Sequence, residues 1–256
     1  MSSNATRRPS RSSLADPVSA SIRIEADPLA ALLPHATTMR ARPNQKIALE
    51  ADPAEAIFVR TGLLVLRTEL PDKRRQILNL LYPRDIFRTS FSPPLPEAAL
   101  AAAVASEIWR VPSNTFETLA NSDPCLGALL SRQLAAQQSR ANLHVAAIGS
   151  LNGEERVASF LIELALRIGS TSPDGISFQI PLSRNDIADY LALNADTLSR
   201  IMSRLKARGI VVQKTRGRAL VPDGKVLRDL SPITDALVAL HGSAASIQAQ
   251  HFSALA

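Results

Sequence analysis

The pattern of apolar and polar positions changes period near Pro112. Between about Thr38 and that residue, apolar positions come in short runs separated by turn chemistry. Ala56–Leu70 is rich in Val, Leu, Ile and Phe with Gly62 in its middle, which predicts two strands about a tight turn. Pro71–Arg75 is charged and turn-like, Gln76–Tyr82 is apolar again and Pro83 ends it, and Ala99–Pro112 predicts two more short strands. Short strands at regular spacing predict a sandwich or barrel-like roll.

Past Pro112 the period lengthens. Ser113 is placed to cap a short helix running to Asn121. Asp123-Pro124 opens a longer one, with the proline tolerated in its first turn. Along it Leu130, Leu134, Gln137, Ala141, His144 and Ile148 recur at alternating spacings of four and three, the spacing of a coiled-coil seam. The stripe is narrow and the rest of the helix is Arg, Gln and Ser, so it reads as the seam of a parallel dimer, with packing on its own domain as the alternative. Gly149 to Gly153 interrupts the stripe and places a domain boundary near Ser150. Glu154–Gly169 is a third amphipathic helix stopped by its glycine, Ser170–Gly175 reads as loop, and Ile176–Leu182 as a short strand.

Two short helical patterns then flank a break. Ser183 followed by Asp186 resembles a capping box and starts the first, which runs through Ile187, Tyr190 and Leu191. Leu191–Asn194 breaks it, and Asn194 caps the second, Ala195 to Arg208, whose buried face is Leu198, Ile201, Met202 and Leu205. Gly209 closes it. This is a helix-turn-helix, and Ile210–Val221, with Arg216-Gly217 at its tip, follows as a basic hairpin, or wing.

Charge sharpens that reading. The chain carries 29 Lys plus Arg against 23 Asp plus Glu, a net +6 that is compatible with a polyanionic partner without showing one. Pro181–Arg218 is where it concentrates: Arg184, Arg200, Arg204, Lys206, Arg208, Lys214, Arg216 and Arg218 face only Asp186, Asp189 and Asp196. Asp196, Ser199 and Arg200 sit at the N-terminal end of the second helix, where residues enter the major groove; Arg can grip guanine with two hydrogen bonds and a carboxylate can accept from cytosine. Arg184, Asn194, Thr197, Arg204, Lys206, Lys214, Arg216 and Arg218 are expected on the DNA backbone.

Other chemistry is excluded or unsupported. The single cysteine, Cys125, rules out an intrachain disulfide and a thiolate-held cluster or zinc site within one chain; it reads as a buried thiol. No apolar run reaches the roughly 18–20 residues of a membrane span, and the Ser- and Arg-rich start, Met1 to about Pro17, is not a secretory signal but a basic tail. A cytoplasmic setting is expected. No nucleophile–base pair, phosphate loop or metal-ligand cluster stands out, so no enzyme is expected. An enzyme or small-molecule-binding module with a basic tail domain is the rival reading, and a non-specific chromosome-coating protein a third.

From about Lys46 to Pro222 the chain resembles the Crp/Fnr family of bacterial transcription regulators, most specifically in the segment LSRNDIADYLALNADTLSRIMSRLKARGIV (Leu182–Val211), which carries the family's acid–x–x–Ser–Arg pattern as Asp196, Ser199 and Arg200. The β-roll signals Asp52-Pro53, Gly62 and Asp85 are in place too. Ala195 stands where cyclic-AMP-dependent members carry Arg, which points to the Fnr/FixK branch and a TTGAT-like half-site. The resemblance implies an α+β protein: a basic tail at 1–28, a β-roll of the cyclic-nucleotide-binding jelly-roll type at 29–122, a dimerisation helix at 123–149, a winged helix-turn-helix at 150–222 and a helical extension at 223–256. It implies a homodimer on a palindromic DNA site, meeting RNA polymerase if it is an activator. Where nucleotide-binding members have Gly-Glu and Arg-Ser, this chain has Arg88-Thr89 and Ala98-Ala99, so the pocket is degenerate, cyclic AMP is not expected, and no cofactor is predicted. Haem ligation by His35, His144 or His251 is not favoured over ordinary surface or seam roles. The extension is expected to pack on the DNA-binding domain or a dimer partner.

Overall fold

The computed structural model describes residues 28–49, 54–91, 97–215 and 217–241. After a short 3-10 helix, Pro28–His35, eight strands form two four-stranded antiparallel sheets: β1 (Thr37–Ala41), β2 (Lys46–Ile47), β3 (Glu55–Thr61), β4 (Leu64–Glu69), β5 (Arg75–Leu81), β6 (Ile86–Arg88), β7 (Ala99–Ala102) and β8 (Ser106–Pro112). Their orders, β1-β8-β3-β6 and β2-β7-β4-β5, interleave early and late strands as a roll requires. Gly62 makes the β3–β4 turn possible. Its φ is +89°, and a Cβ there would lie 2.2 Å from Ser106 Oγ. Between the sheets Ile57, Leu64, Leu81, Leu100 and Ile108 form a buried core.

Helix α1 (Ser113–Ser122) leaves β8 directly. Ser113 is its first residue and not its cap: Pro112 occupies the cap position, no side chain caps the helix, and the Ser113 amide donates to Ala54 O at 2.8 Å where the chain leaves the sheet. Helix α2 (Pro124–Ser150) begins as expected, with Asp123 accepting from the amides of Cys125 and Leu126. Cys125 is exposed, contrary to its reading as a buried thiol, because Leu126 takes the inward direction of that first turn. The helix also passes through Gly149 without breaking. The break is at Leu151–Asn152, where Asn152 and Glu155 close a reciprocal capping box that starts α3 (Gly153–Ile168).

The winged domain adds a third sheet, β11-β12-β10-β9. Its members are β9 (Ser170–Ser172), β10 (Gly175–Gln179), β11 (Val212–Thr215) and β12 (Arg218–Val221). The segment read as loop thus contributes β9, three polar residues held by backbone pairing to β10, which no hydrophobic pattern announces. Helices α4 (Arg184–Leu191) and α5 (Ala195–Ala207) complete the motif. In the extension, α6 (Gly224–Asp229) was not anticipated, while α7 (Thr234–His241) begins at the expected residue and packs on α3 and α2. The tail to Pro17, Asp52-Pro53, and the expected last helix with His251 lie outside the described residues.

One contiguous core joins the two halves. Leu63, Val65, Ile77 and Leu80 of the roll share it with Phe160, Leu161 and Leu164 of α3 and Tyr190 of α4. Burial of this kind contributes about 25 cal/mol per Å² of apolar surface removed from water, so the roll and the winged domain stabilise one another.

Candidate DNA-reading surface and its anchorage

The reading helix is set by its local chemistry. Ser183 accepts from the amide of Asp186 at 3.1 Å and starts α4. Ala192 takes the left-handed conformation, φ 51°, to turn the chain, and Asn194 accepts from Thr197 N at 2.7 Å to start α5. Leu198, Ile201 and Leu205 bury one face of α5, with Met202 half-buried beside them. Gly209, at φ 71°, ends it, and Ile210 N donates back to Leu205 O. With that face inward, Asp196 and Arg200 point to solvent and Ser199 lies half-buried at the edge. Ser199 Oγ donates to Ala195 O at 2.7 Å and accepts from Arg184 Nη1 at 3.1 Å, so Arg184 crosses from α4 to the reading helix.

Of the other expected backbone-contacting residues, Arg204 reaches Glu154 at the start of α3 at 3.3 Å, a carboxylate it shares with Arg208 at 2.8 Å. Lys206 donates to Gln213 of the wing at 2.6 Å. Lys214 and Arg218 are exposed on the wing, and Asn194 and Thr197 are at the N-terminus of α5. Arg216 lies outside the described residues. Pairs as solvated as Arg204–Glu154 are worth about 0–1 kcal/mol and exchange readily for phosphate oxygens.

The structure also shows what becomes of the acidic residues. Asp186 and Asp189 turn away from the reading face to Arg75 on β5, which reaches Asp186 Oδ1 at 2.9 Å and Asp189 Oδ2 at 2.5 Å. These bonds hold the Arg75 guanidinium above its ordinary pKa, with Asp189 the larger cause. Of the three carboxylates in the basic segment, Asp186 and Asp189 lie on α4 and only Asp196 on α5.

Behind this surface is a buried polar cluster. Glu163 of α3 accepts from Tyr82 OH at 3.0 Å and Tyr190 OH at 3.2 Å. Burial raises its carboxyl pKa, and both phenols are raised well above their ordinary value by burial and by Glu163. Asp85 accepts from Arg140 at 2.7 Å and from Arg167 at 3.1 Å. His144 stacks on Tyr190 with ring centroids 4.0 Å apart, and burial lowers its pKa to about 4. His241 of α7 is 2% exposed and is lowered to about 3 by burial and then by Arg167 and Arg140. None of these bonds is legible from spacing. One signal was available: Glu163 is a carboxylate set among the buried apolar residues Phe160, Leu161, Ile162, Leu164 and Leu166 of α3.

The α2 stripe is largely used within the protomer. Leu130 and Gln137 are buried, and Ala141, His144 and Ile148 line a cavity of about 40 Å3 beneath Tyr190, while Leu134 is half-buried. In the roll, Arg88 is tied to Glu117 of α1 and lies 5.4 Å over the ring of Phe116. Thr89 is buried and accepts from Glu55 N at 2.9 Å; Ala98 and Ala99 lie half-buried where β7 begins. His35 is exposed.

Residues 155–230 match the model of the Crp-like helix-turn-helix domain. The nitrogen fixation regulation protein FixK of Azorhizobium caulinodans is 31% identical over 191 residues, covering 73% of this chain and 76% of that protein. The chain belongs to the Crp/Fnr family. A second FixK, from Rhizobium meliloti, is 28% identical over 190 residues, covering 74% of this chain and 84% of its own. The solved structure of FixK2 from Bradyrhizobium japonicum superposes with a TM-score of 0.67 at 29% identity, covering 77% of this chain and 97% of that one. The chain is thus a Crp/Fnr-type, DNA-binding transcription regulator. Among the described residues no helix is long and apolar enough to cross a membrane, and no group of three or more His, Cys, Asp or Glu is placed to hold a metal ion.

Proposed function

We propose that the protein acts as a homodimer in the cytoplasm and reads a palindromic, TTGAT-like site through Asp196, Ser199 and Arg200. The observation that carries this reading is the exposure of Asp196 and Arg200 one turn apart on α5, while the two aspartates of α4, Asp186 and Asp189, are paired with Arg75. Arg184, Asn194, Thr197, Arg204, Lys206, Lys214, Arg216 and Arg218 hold the flanking phosphates.

Dimerisation through α2 accounts for its remaining open face. Because Leu130, Gln137 and His144 are engaged inside the protomer, the pairing seam runs through Leu134, Gln138 and Val145, flanked by Ala141 and Ile148, which are half-buried and also line the cavity beneath Tyr190. Val145, 69% exposed, is its apolar centre. The nucleotide pocket of the roll is degenerate: Arg88 is held by Glu117 and Thr89 by the β3 backbone, so no arginine of this pair is offered to a cyclic phosphate, and no cofactor is required. An activating role would bring RNA polymerase as a further partner.

Fluorescence anisotropy on a TTGAT-N4-ATCAA duplex and on a scrambled duplex, with no effector added, tests this. Tight binding to the palindrome alone, lost in Arg200→Ala, is expected. Equal binding to both duplexes, or none at low salt, rejects it. Val145→Glu is expected to yield a monomer in sedimentation analysis.

A further inference from the structure

The first turn of α4 is held from two sides. From the roll, Arg75 donates through Nε to Asp189 Oδ2 at 2.9 Å and through Nη2 to Asp186 Oδ1 at 2.9 Å. Toward the reading helix, Arg184 Nη1 donates to Ser199 Oγ at 3.1 Å. Asp186 also closes the helix cap: its Oδ2 accepts from Ser183 Oγ at 2.6 Å, and its amide donates to that hydroxyl at 3.1 Å. The carboxylate gripped by the roll is therefore the one that fixes the start of α4. The residue after that cap, Arg184, is the one that reaches α5.

Strand β5 takes hold of α4 at both ends. Arg75 is its first residue and meets Asp186 and Asp189. Tyr82, just past its last residue, shares Glu163 with Tyr190 near the end of α4. Between these points Ile77 and Leu80 share a core with Ile187 and Tyr190. Apolar burial is non-directional and lets one surface slide over another. A planar guanidinium fork on two carboxylates does not. The Arg75, Asp186 and Asp189 side chains are 34%, 20% and 23% exposed, so this fork is better shielded from solvent than the Arg204–Glu154 pair, at 59% and 26%.

We propose that Arg75 is a positioning residue for DNA reading. Its fork sets the first turn of α4 and, through Arg184 and Ser199, the N-terminal end of α5 at the spacing that two half-sites require. The roll supplies this setting through its own side chains, with no bound effector. The inference rests on the reading of a palindrome by Asp196, Ser199 and Arg200 in a homodimer.

The test uses the full chain, Arg75→Glu, Arg75→Lys and the charge-swapped Arg75→Glu/Asp189→Arg. Anisotropy is measured on TTGAT-N3-ATCAA, TTGAT-N4-ATCAA and TTGAT-N5-ATCAA duplexes. The wild type is expected to favour one spacing. Arg75→Glu is expected to bind that duplex roughly tenfold more weakly and to lose the preference. Arg75→Lys, which keeps the charge without the fork, also loses the preference, and the swapped pair restores it. A general loss of positive charge would weaken all three duplexes alike and leave the preference intact. Amide hydrogen exchange over the first turns of α4 and α5, measured without DNA, is expected to quicken in Arg75→Glu and to recover in the swapped pair. An unchanged spacing preference in Arg75→Glu, unchanged exchange, or defects that the swap does not repair overturn the inference. A wild type that binds palindrome and scrambled duplex alike rejects instead the DNA-reading proposal beneath it.

Discussion

Arginine plays opposite parts in two regions of this molecule. On α5 and the wing, Arg200, Arg204, Arg208 and Arg218 are exposed, and the partners they have are solvated. At the junction of roll, long helix and winged domain, Arg140 and Arg167 are almost wholly buried and share Asp85, while Arg75, half-buried, holds two aspartates of α4. The difference follows from dielectric. A solvated guanidinium can exchange water or a weak partner for phosphate at little cost, whereas a buried one must keep its carboxylate or leave an unpaired charge in the interior. The outer set can exchange its partners; the inner set cannot.

The largest effect that would break this contrast is expected from Asp85→Ala. Removing the carboxylate shared by two buried guanidiniums should cost about 3–5 kcal/mol of stability, read by urea denaturation. A cost near that of a surface charge would mean the cluster is solvated. On the outer side, Arg200→Ala should weaken palindrome binding by about 1–3 kcal/mol while leaving the denaturation midpoint unchanged. An equal loss on the scrambled duplex would move Arg200 from base to backbone.

Protons probe the interior further. The folded pKa values of His144 and His241 lie below the ordinary 6.5, at about 4 and about 3, so the unfolded chain binds more protons as pH falls through 6.5. Stability from these two groups is present above pH 6.5 and is lost on acidification; by pH 5.5 the loss is about 1 kcal/mol for each. The raised Glu163 has the opposite sign, since the folded state holds its proton more tightly between the ordinary carboxyl pKa and the raised one, and it offsets part of the loss. His241→Gln should flatten the pH dependence of the thermal midpoint between pH 6.5 and 5; an unchanged slope would place His241 in water.

The smallest effect is expected at the wing. Lys214→Ala should weaken both duplexes alike and lower the slope of log affinity against log salt by about 1.

Much of this surface was legible in the sequence because its signals are local. Capping residues, the break at Leu191–Asn194, Gly209 and the period of Leu198, Ile201 and Leu205 each act within a turn or two of helix, and they orient Asp196 and Arg200 outward with little help from the rest of the chain. The roll strands about Gly62 were legible for the same reason. Strand β9 was not, because a three-residue polar strand exists only through its partner. The α2 stripe was legible as a stripe but not as to what it faces: a heptad spacing is the same whether the neighbour is a second helix or Tyr190 of the same protomer.

By itself, then, the sequence determined the period of each element, its caps and turns, and the excess of cations in the reading segment. Tertiary structure alone decided which arginines are solvated and which buried. It sent Asp186 and Asp189 to Arg75, Arg140 and Arg167 to Asp85, and Glu163 between two tyrosines. The physical reason is range. Helix and turn signals are satisfied within a few residues, whereas Arg75 and Asp189 are 114 residues apart in sequence and meet only because the apolar core brings the roll and the winged domain together.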